Sequence, residues 1–377
     1  MANGPFEITA RDPASRARTG LLRTAHGEVE TPVFMPVATQ GSVKALCQED
    51  LNALGVSAIL SNSYHLYLRP GAEVIENAGG LHSFMSYPGT ILTDSGGYQV
   101  FSLADLRRLD DDGVVFQSHL DGSRHELTPE SVIRLQSRLG SDIWTTLDEC
   151  PPYPCELSTA EDALRRTTRW TERSVPIFAE ENAKREKPAL FFPILQGWLD
   201  PRLRERAAEH MAGVAHQGVS LGGFSVGEPK ELTWSTLDRT TAALAEDKPR
   251  YLMGMGAPED LWEAVSLGVD MMDCVWPTRI ARNGQVMTAA GRINIKNTPF
   301  RSDDSPLDPE CPCFVCRGYS RAYLCHLFRA KELSAFRLLT IHNLTFSLGI
   351  MRTIRKAIRA GRFLEEKKTF LSKYNGN

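Results

Sequence analysis

Cys311, Cys313, Cys316 and His342 make a C-x-C-x2-C-x25-H run. Three thiolates and one imidazole form a soft, four-membered ligand set of the kind that holds Zn(II) tetrahedrally. A closed set of four leaves no position for water or substrate, so the expected ion, one per subunit, is structural. Three cysteines within six residues, in a chain that has only eight, are poorly explained as scattered surface thiols. Cys325 and His326 are rival ligands, and His342 is preferred because the intervening helix-like segment could fold back over the knuckle. The N-terminal MANGPFEITARDPASRARTG lacks the apolar core of a signal peptide, and no apolar run approaches membrane-spanning length. A reducing, cytoplasmic compartment without disulfides or membrane is therefore expected.

A second set of chemistry-bearing residues is carboxylate. Asp94, Asp148 with Glu149, and Asp273 each end a short apolar run, as does the amide of Gln196. Two aspartates facing each other over a sugar could attack an acetal-like carbon, one taking the carbon while the other handles the leaving group's proton. A single Asp at such a place is more commonly a cap or turn residue, and joint placement is what favours chemistry.

Eight strand-like runs must position these groups: 32–39, 57–66, 90–97, 142–149, 189–197, 218–224, 250–256 and 268–274. Between them lie segments of helical period, among them 43–55, 128–140, 200–217, 229–248 and 257–268, several with Ser, Thr, Asp or Pro at the start and Gly at the end. Near-continuous apolar strands separated by amphipathic helices indicate a parallel sheet covered on both faces. Eight such units predict an α/β fold, a (β/α)8 TIM barrel, whose site lies at the carboxyl ends of the strands. Residues 1–377 then form one barrel domain, with an N-terminal hairpin closing its bottom. Residues 285–345 are an inserted zinc-binding subdomain near the last β-to-α connection, and 346–377 supply the C-terminal helix that completes the barrel.

Net charge is −3 overall, yet residues 276–377 hold 18 Lys and Arg against 7 Asp and Glu, leaving −14 on residues 1–275. Such asymmetry hints at a polyanionic partner. Arg352, Arg355, Lys356, Arg359 and Arg362 equally suit a solvated helix face.

TDSGGYQVFSL (93–103), LDEC (147–150), LQG (195–197), YLMGMG (251–256), DMMDCVWPTR (270–279), ARNG (281–284) and the cysteine run occur in order over nearly the whole chain. Together they resemble the tRNA-guanine transglycosylases of bacterial type, the queuine tRNA-ribosyltransferase family. The resemblance implies exchange of guanine at the wobble position of GUN-anticodon tRNAs (Asp, Asn, His, Tyr) for 7-aminomethyl-7-deazaguanine (preQ1), through a covalent enzyme–RNA intermediate. Carried over by motif, Asp273 is the nucleophile and Asp94 the general acid/base. Ser95, Gly96, Gly97, Tyr98, Asp148, Gln196, Gly222, Gly223, Phe224 and Met253 form the base pocket. Tyr98 and Met253 sandwich the ring, Asp148 accepts from N1–H and the exocyclic amine, and Gln196 and the Gly223 N–H donate to O6. Gly254, Met255, Gly256, Ala257, Pro258, Glu259, Asp260, Thr278, Arg279, Ile280, Ala281 and Arg282 match the segments that hold tRNA. The +11 region would then form a basic wall beside an acidic barrel mouth. A homodimer through the zinc-bearing region is implied as well.

Departures are Ile280, Trp276 and Phe224-Ser225, while Val226 and Cys150 fit a pocket too small for the cyclopentenediol of queuine. Queuine and the nitrile precursor remain alternative incoming bases. A zinc-dependent barrel hydrolase would need strand-end histidines, and His65 has no partner in the strand-end list. A non-catalytic RNA-binding subunit would not need both Asp94 and Asp273.

Overall fold

In the computed structural model, which describes residues 4–103 and 107–376, the chain opens with an antiparallel sheet. Its strands are β1 (Phe6–Arg11), β2 (Arg18–Thr24) and β3 (Gly27–Thr31). Parallel strands follow: β4 (Val33–Ala38), then helix α1 (Gln48–Leu54), β5 (Ala58–Asn62), the short helices α2 (Ser63–Leu68), α3 (Ala72–Asn77) and α4 (Gly80–Met85), and β6 (Thr90–Asp94). Helix α5 (Gly97–Leu103) leads to a small antiparallel sheet, β7 (Arg107–Leu109), β8 (Val114–Gln117) and β9 (Arg124–Leu127), and to α6 (Pro129–Leu139). Next come β10 (Ile143–Trp144) and the long α7 (Leu157–Ala183), which fills the interval between the fourth and fifth expected runs, whereas the 107–127 sheet stands outside the expected alternation.

The fifth expected run divides into β11 (Leu190–Phe191) and β12 (Ile194–Leu195). Pro193 has no N–H to give a ladder, but its carbonyl still accepts from Ser220 N (3.0 Å), while Phe192 N donates to Trp144 O (2.9 Å). One half of the run thus pairs with β10 and the other with β13 (Val219–Leu221). After α8 (Pro201–Ala212) and α9 (Lys230–Ala242) come β14 (Arg250–Leu252), α10 (Pro258–Ser266) and β15 (Met271–Cys274). The parallel order β11-β10-β6-β5-β4-β15-β14-β13-β12 begins and ends on the same run, so the sheet curls into the barrel that the alternation predicts.

Inside the cylinder Val33, Met35, Leu60, Leu92, Ile143, Phe192, Tyr251 and Met271 pack together, closed at the amino end by Phe6, Leu22 and Val29 of the N-terminal sheet. Alternate strand residues such as Phe34, Ile59, Ile91, Trp144 and Phe191 face the helices. Period-two alternation thereby fills both sides of every strand with apolar surface. The helices are punctuated locally: before α6, the Thr128 side chain accepts from Ser131 N and the Ser131 hydroxyl from Thr128 N, and Gly140 ends the helix at φ 74°.

After β15 the chain forms α11 (Trp276–Arg282), the hairpin β16 (Gln285–Thr288) and β17 (Gly291–Asn294), a 3-10 turn, α12 (Phe314–Gly318), α13 (Arg321–Arg329), α14 (Leu333–Arg359) and α15 (Phe363–Tyr374). A separate core of Val286, Ile295, Leu307, Val315, Leu324 and Leu339, with Cys325 buried in it, lies here. Helix α14 starts well before the expected residue 346 and crosses the expected boundary after 345 unbroken. Its 27 residues carry an apolar stripe long enough to serve this core and the barrel in succession.

The charge of this region is distributed differently from the expectation. Arg355 donates to Pro32 O (2.7 Å) and Arg359 pairs with Glu30 of β3 (2.7 Å). Both arginines therefore sit at the amino end of the barrel. The reading of the whole +11 region as a wall beside the barrel mouth is corrected: helix α14 runs toward the bottom, and its last turns neutralise a carboxylate there. Among the described residues, no helix is long and apolar enough to cross a membrane.

Candidate active site

Strand β6 ends on Asp94, a buried carboxyl whose Oδ2 accepts from Asn62 Nδ2 (2.6 Å) and whose Oδ1 accepts from Ser63 N (3.1 Å). Both donors sit where β5 turns into α2. Burial pushes Asp94 up to about 8; repulsion from Asp273 and Asp148 adds to it, and the Ser63 N–H opposes it. Asp94 is therefore close enough to Asp273 and Asp148 to feel both.

Asp273 is the penultimate residue of β15 and is likewise buried. Its Oδ1 accepts from the Tyr251 hydroxyl (2.6 Å) and from Gly254 N (2.9 Å). Burial raises its pKa and these two donors counter the rise, holding one oxygen fixed. The neighbouring thiol of Cys274 is pushed up to about 12 by burial, so it stays protonated.

Asp148 follows β10 by four residues of extended chain. Its Oδ2 accepts from Gln196 Nε2 (2.7 Å), just beyond β12, and its Oδ1 accepts from the Ser95 hydroxyl (3.3 Å). Burial raises it to about 6, so it is ionised at neutral pH. Glu149 points elsewhere, into a pair with Arg166 (2.5 Å).

Glycines make this crowding possible. A Cβ on Gly97 would lie 2.7 Å from Asp148 O and 2.8 Å from its Oδ1, and one on Gly222 would lie 2.6 Å from Gln196 Nε2. Gly223 has φ 74° and would press a Cβ to 2.5 Å from Gln196 Oε1, so only glycine suits the turn after β13. Gly96, at φ 79°, closes against Tyr64 in the same way. Phe224 is buried, Met253 is half-buried at the end of β14, and Tyr98 on α5 is 53% exposed.

Three residues that the sequence did not single out complete the geometry: Asn62, Tyr251 and Arg204. Arg204 of α8 is fully buried, lies 4.1 Å over the Phe224 ring, and donates to the carbonyls of Trp198 (2.6 Å), Leu195 (3.4 Å) and Gly223 (3.4 Å). Burial brings its pKa down to about 9. It ties the ends of β12 and β13 into one floor under Gln196. Among the described residues Gln196 Oε1 has no partner, while Nε2, expected to serve a base, already donates to Asp148.

Of the segments expected to hold RNA, Gly254 and Arg279 are exposed, and Ala257, Glu259 and Arg282 are half-buried. Met255, Gly256, Pro258, Asp260, Thr278, Ile280 and Ala281 are buried. Asp260 pairs with Lys230, and Arg282 donates to Thr278 O (3.0 Å) and Oγ1 (3.2 Å). The buried members shape the wall from which Arg279 projects.

Remote from these carboxylates in sequence, the ligand atoms of Cys311, Cys313, Cys316 and His342 all lie within 4.8 Å of one another. His342 Nδ1 is 3.2 Å from Cys316 Sγ, and its Nε2 faces Met287 O at 2.7 Å, an arrangement that fixes which nitrogen meets a metal. Hydrogen bonds from Cys311 and Cys316 drive the Cys313 thiol far below its ordinary range, toward the thiolate a metal requires. This donor set fits one metal ion; Cys325 stays buried in the adjoining core, outside it.

A family model described as queuine tRNA-ribosyltransferase matches residues 12–376. Proteins named queuine tRNA-ribosyltransferase are similar over nearly the full length: one from Caldanaerobacter subterraneus subsp. tengcongensis is 51% identical over 377 residues, covering 100% of this chain and 99% of that protein. One from Thermoanaerobacter pseudethanolicus is 52% identical over 374 residues (99% and 98%), and one from Dictyoglomus turgidum 52% over 369 (98% and 94%). A barrel whose mouth gathers three buried aspartates, and a match that spans the chain from end to end, lead to one conclusion: this chain belongs to the queuine tRNA-ribosyltransferase family.

Proposed function

We propose that this protein exchanges guanine at the wobble position of GUN-anticodon tRNAs for preQ1, by two displacements at one sugar carbon. The observation that carries the reading is the pair Asp94 and Asp273, both buried at strand ends, one with a pKa of about 8 and the other pinned by two donors. Asp273 Oδ2 attacks the ribose C1′ as the bond to guanine breaks, and protonated Asp94 hands its proton to the departing purine. The resulting ester joins enzyme to RNA. Deprotonated Asp94 then takes the ring N–H proton of the incoming 7-deazaguanine, whose nitrogen displaces Asp273. No triphosphate or redox partner is consumed, since one glycosidic bond replaces another.

Asp148, ionised above about 6, suits the N1–H and amine of a guanine-like base. Adenine offers no such donor pair and would leave the carboxylate unpaired, which disfavours it strongly. Gly223 N–H, the second Nε2 hydrogen of Gln196, and the Tyr98 and Met253 side chains complete the base site. Cys150, lying against Gln196 and Gly223, together with Val226, favours preQ1 over bulkier queuine. Exposed Arg279 holds the RNA backbone, positioning without reading sequence. A Zn(II) ion in the Cys311, Cys313, Cys316 and His342 set supplies only structural cross-linking. Exposed Phe314, Tyr323 and Leu333 beside it favour a homodimer through this region. A cytoplasmic location accords with a tRNA substrate.

The test is incorporation of radiolabelled guanine into a GUN-anticodon tRNA. Asp273→Asn should lose at least about a thousandfold in rate, as removal of a nucleophile does, and should form no RNA adduct on denaturing gels. Undiminished labelling would remove Asp273 from the mechanism. Competition among preQ1, its nitrile precursor and queuine decides the incoming base.

A further inference from the structure

At the amino end of the barrel, opposite the carboxylates of the mouth, three segments converge on one buried group. Asp142, which leads into β10, is 0% exposed, and its Oδ2 accepts from Ile91 N (2.8 Å). His26, in the turn between β2 and β3, brings Nδ1 to 2.6 Å from Asp142 Oδ1. His82 of α4 brings Nε2 to 3.1 Å from Oδ2 and to 3.1 Å from Gly89 O. The two imidazoles stack with centroids 3.5 Å apart and planes 19° apart, each presenting one nitrogen to the same carboxylate. The three ligand atoms lie within 4.8 Å of one another.

We propose that His26, His82 and Asp142 form a second metal site, taking one divalent transition metal of the zinc, cobalt and nickel class. Two neutral imidazoles and one carboxylate are the borderline ligands such ions select. With metal–ligand bonds of about 2.0–2.2 Å, tetrahedral ligand atoms stand about 3.3 Å apart. The His82–Asp142 spacing of 3.1 Å already fits. His26 must withdraw by about 0.7 Å and turn its ring out of the stack, so that its lone pair and that of His82 meet at one point; its turn position and 30% exposed side chain permit both movements. That exposure also leaves room for water or Gly89 O as a further ligand. Among the described residues no Lys or Arg donates to Asp142: nearby Arg185 gives its hydrogen bond to Ser141 O (3.2 Å). A buried carboxylate whose side-chain partners are imidazoles is a site where a cation replaces two N–H protons at little cost. The set differs from the cysteine site in position, donor chemistry and openness.

The experiment uses the full-length protein holding one zinc per chain, exposed to Co(II) and freed of excess by gel filtration. One cobalt per chain should remain beyond the cysteine-held zinc, with visible d–d bands of a four-coordinate ion and no thiolate-to-cobalt charge-transfer band. His26→Gln and His82→Gln should each weaken cobalt binding at least about tenfold, as loss of a ligand does, with zinc content and melting profile kept. His26 is a half-exposed turn residue, so its variant reads binding apart from folding. If the wild type retains no cobalt, or His26→Gln binds it as tightly, His26 and Asp142 are a plain hydrogen-bonded pair and the assignment fails. A thiolate charge-transfer band would put the cobalt among the cysteines and overturn it equally.

Discussion

A carboxylic acid that titrates near 8 is a proton donor at neutral pH, and Asp94 owes that state first to burial and then to two like-charged neighbours. Asp148, pushed up to about 6, is the group proposed to accept from a guanine-like base, a role that requires it ionised. Adduct formation between enzyme and tRNA, followed in a single turnover without incoming base, should therefore rise as pH passes about 6 and fall as it passes about 8. In Asp94→Asn the alkaline limb should vanish along with most of the rate. Stability carries the same signature: a folded pKa raised from 3.8 gives stability present at low pH and lost as pH climbs through about 8. The melting temperature of Asp94→Asn should therefore fall less than that of the wild type when pH is taken from 6 to above 8, as calorimetry can check. The three aspartates were legible because each ends an apolar run. Tyr251 was not, for an aromatic residue inside a strand ordinarily signals packing. Arg204 reads, beside Arg202 and Arg206, as one more solvated helix residue, and only the fold shows which of the three turns inward.

At the level of elements, the eight apolar runs and the capped helices between them carried the barrel in plain view, since burial on both faces imposes a nearly unbroken apolar composition. In the run at 189–197 Pro193 was the one sign of division, since it has no N–H to give a ladder, and the apolar residues on either side masked it. The antiparallel strands at 107–127 escaped notice for the opposite reason: they are short and interleaved with charge. The βα turns set the spacing of the site, and α5 begins so near Asp148 that one methyl group is felt. Gly97→Ala should raise KM for the incoming base about tenfold through overpacking worth roughly 1–3 kcal/mol. Circular dichroism should find its helix content unchanged. Wild-type KM in this variant would mean that the Asp148 loop yields freely.

For the molecule as a whole, the cysteine run announced a metal, and the core around Val315 and Leu324 depends on the chain being held there. Replacing Cys316 with Ser should lower the melting temperature by several degrees, the scale expected when a structural metal site is weakened. Amide exchange should quicken first over residues 311–342, while the strands of the barrel stay protected. Uniform acceleration would mean that the two cores melt together. Helix α14, whose 27 residues make a rod about 40 Å long, bears on that outcome. It carries His342 near its beginning and clasps Pro32 and Glu30 through Arg355 and Arg359 near its end. The cysteine-bearing lobe and the cylinder consequently share an axle, with no hinge between them. That lobe can tilt toward a bound nucleic acid by no more than the gentle curvature a long helix allows, and a larger swing would require the rod itself to break.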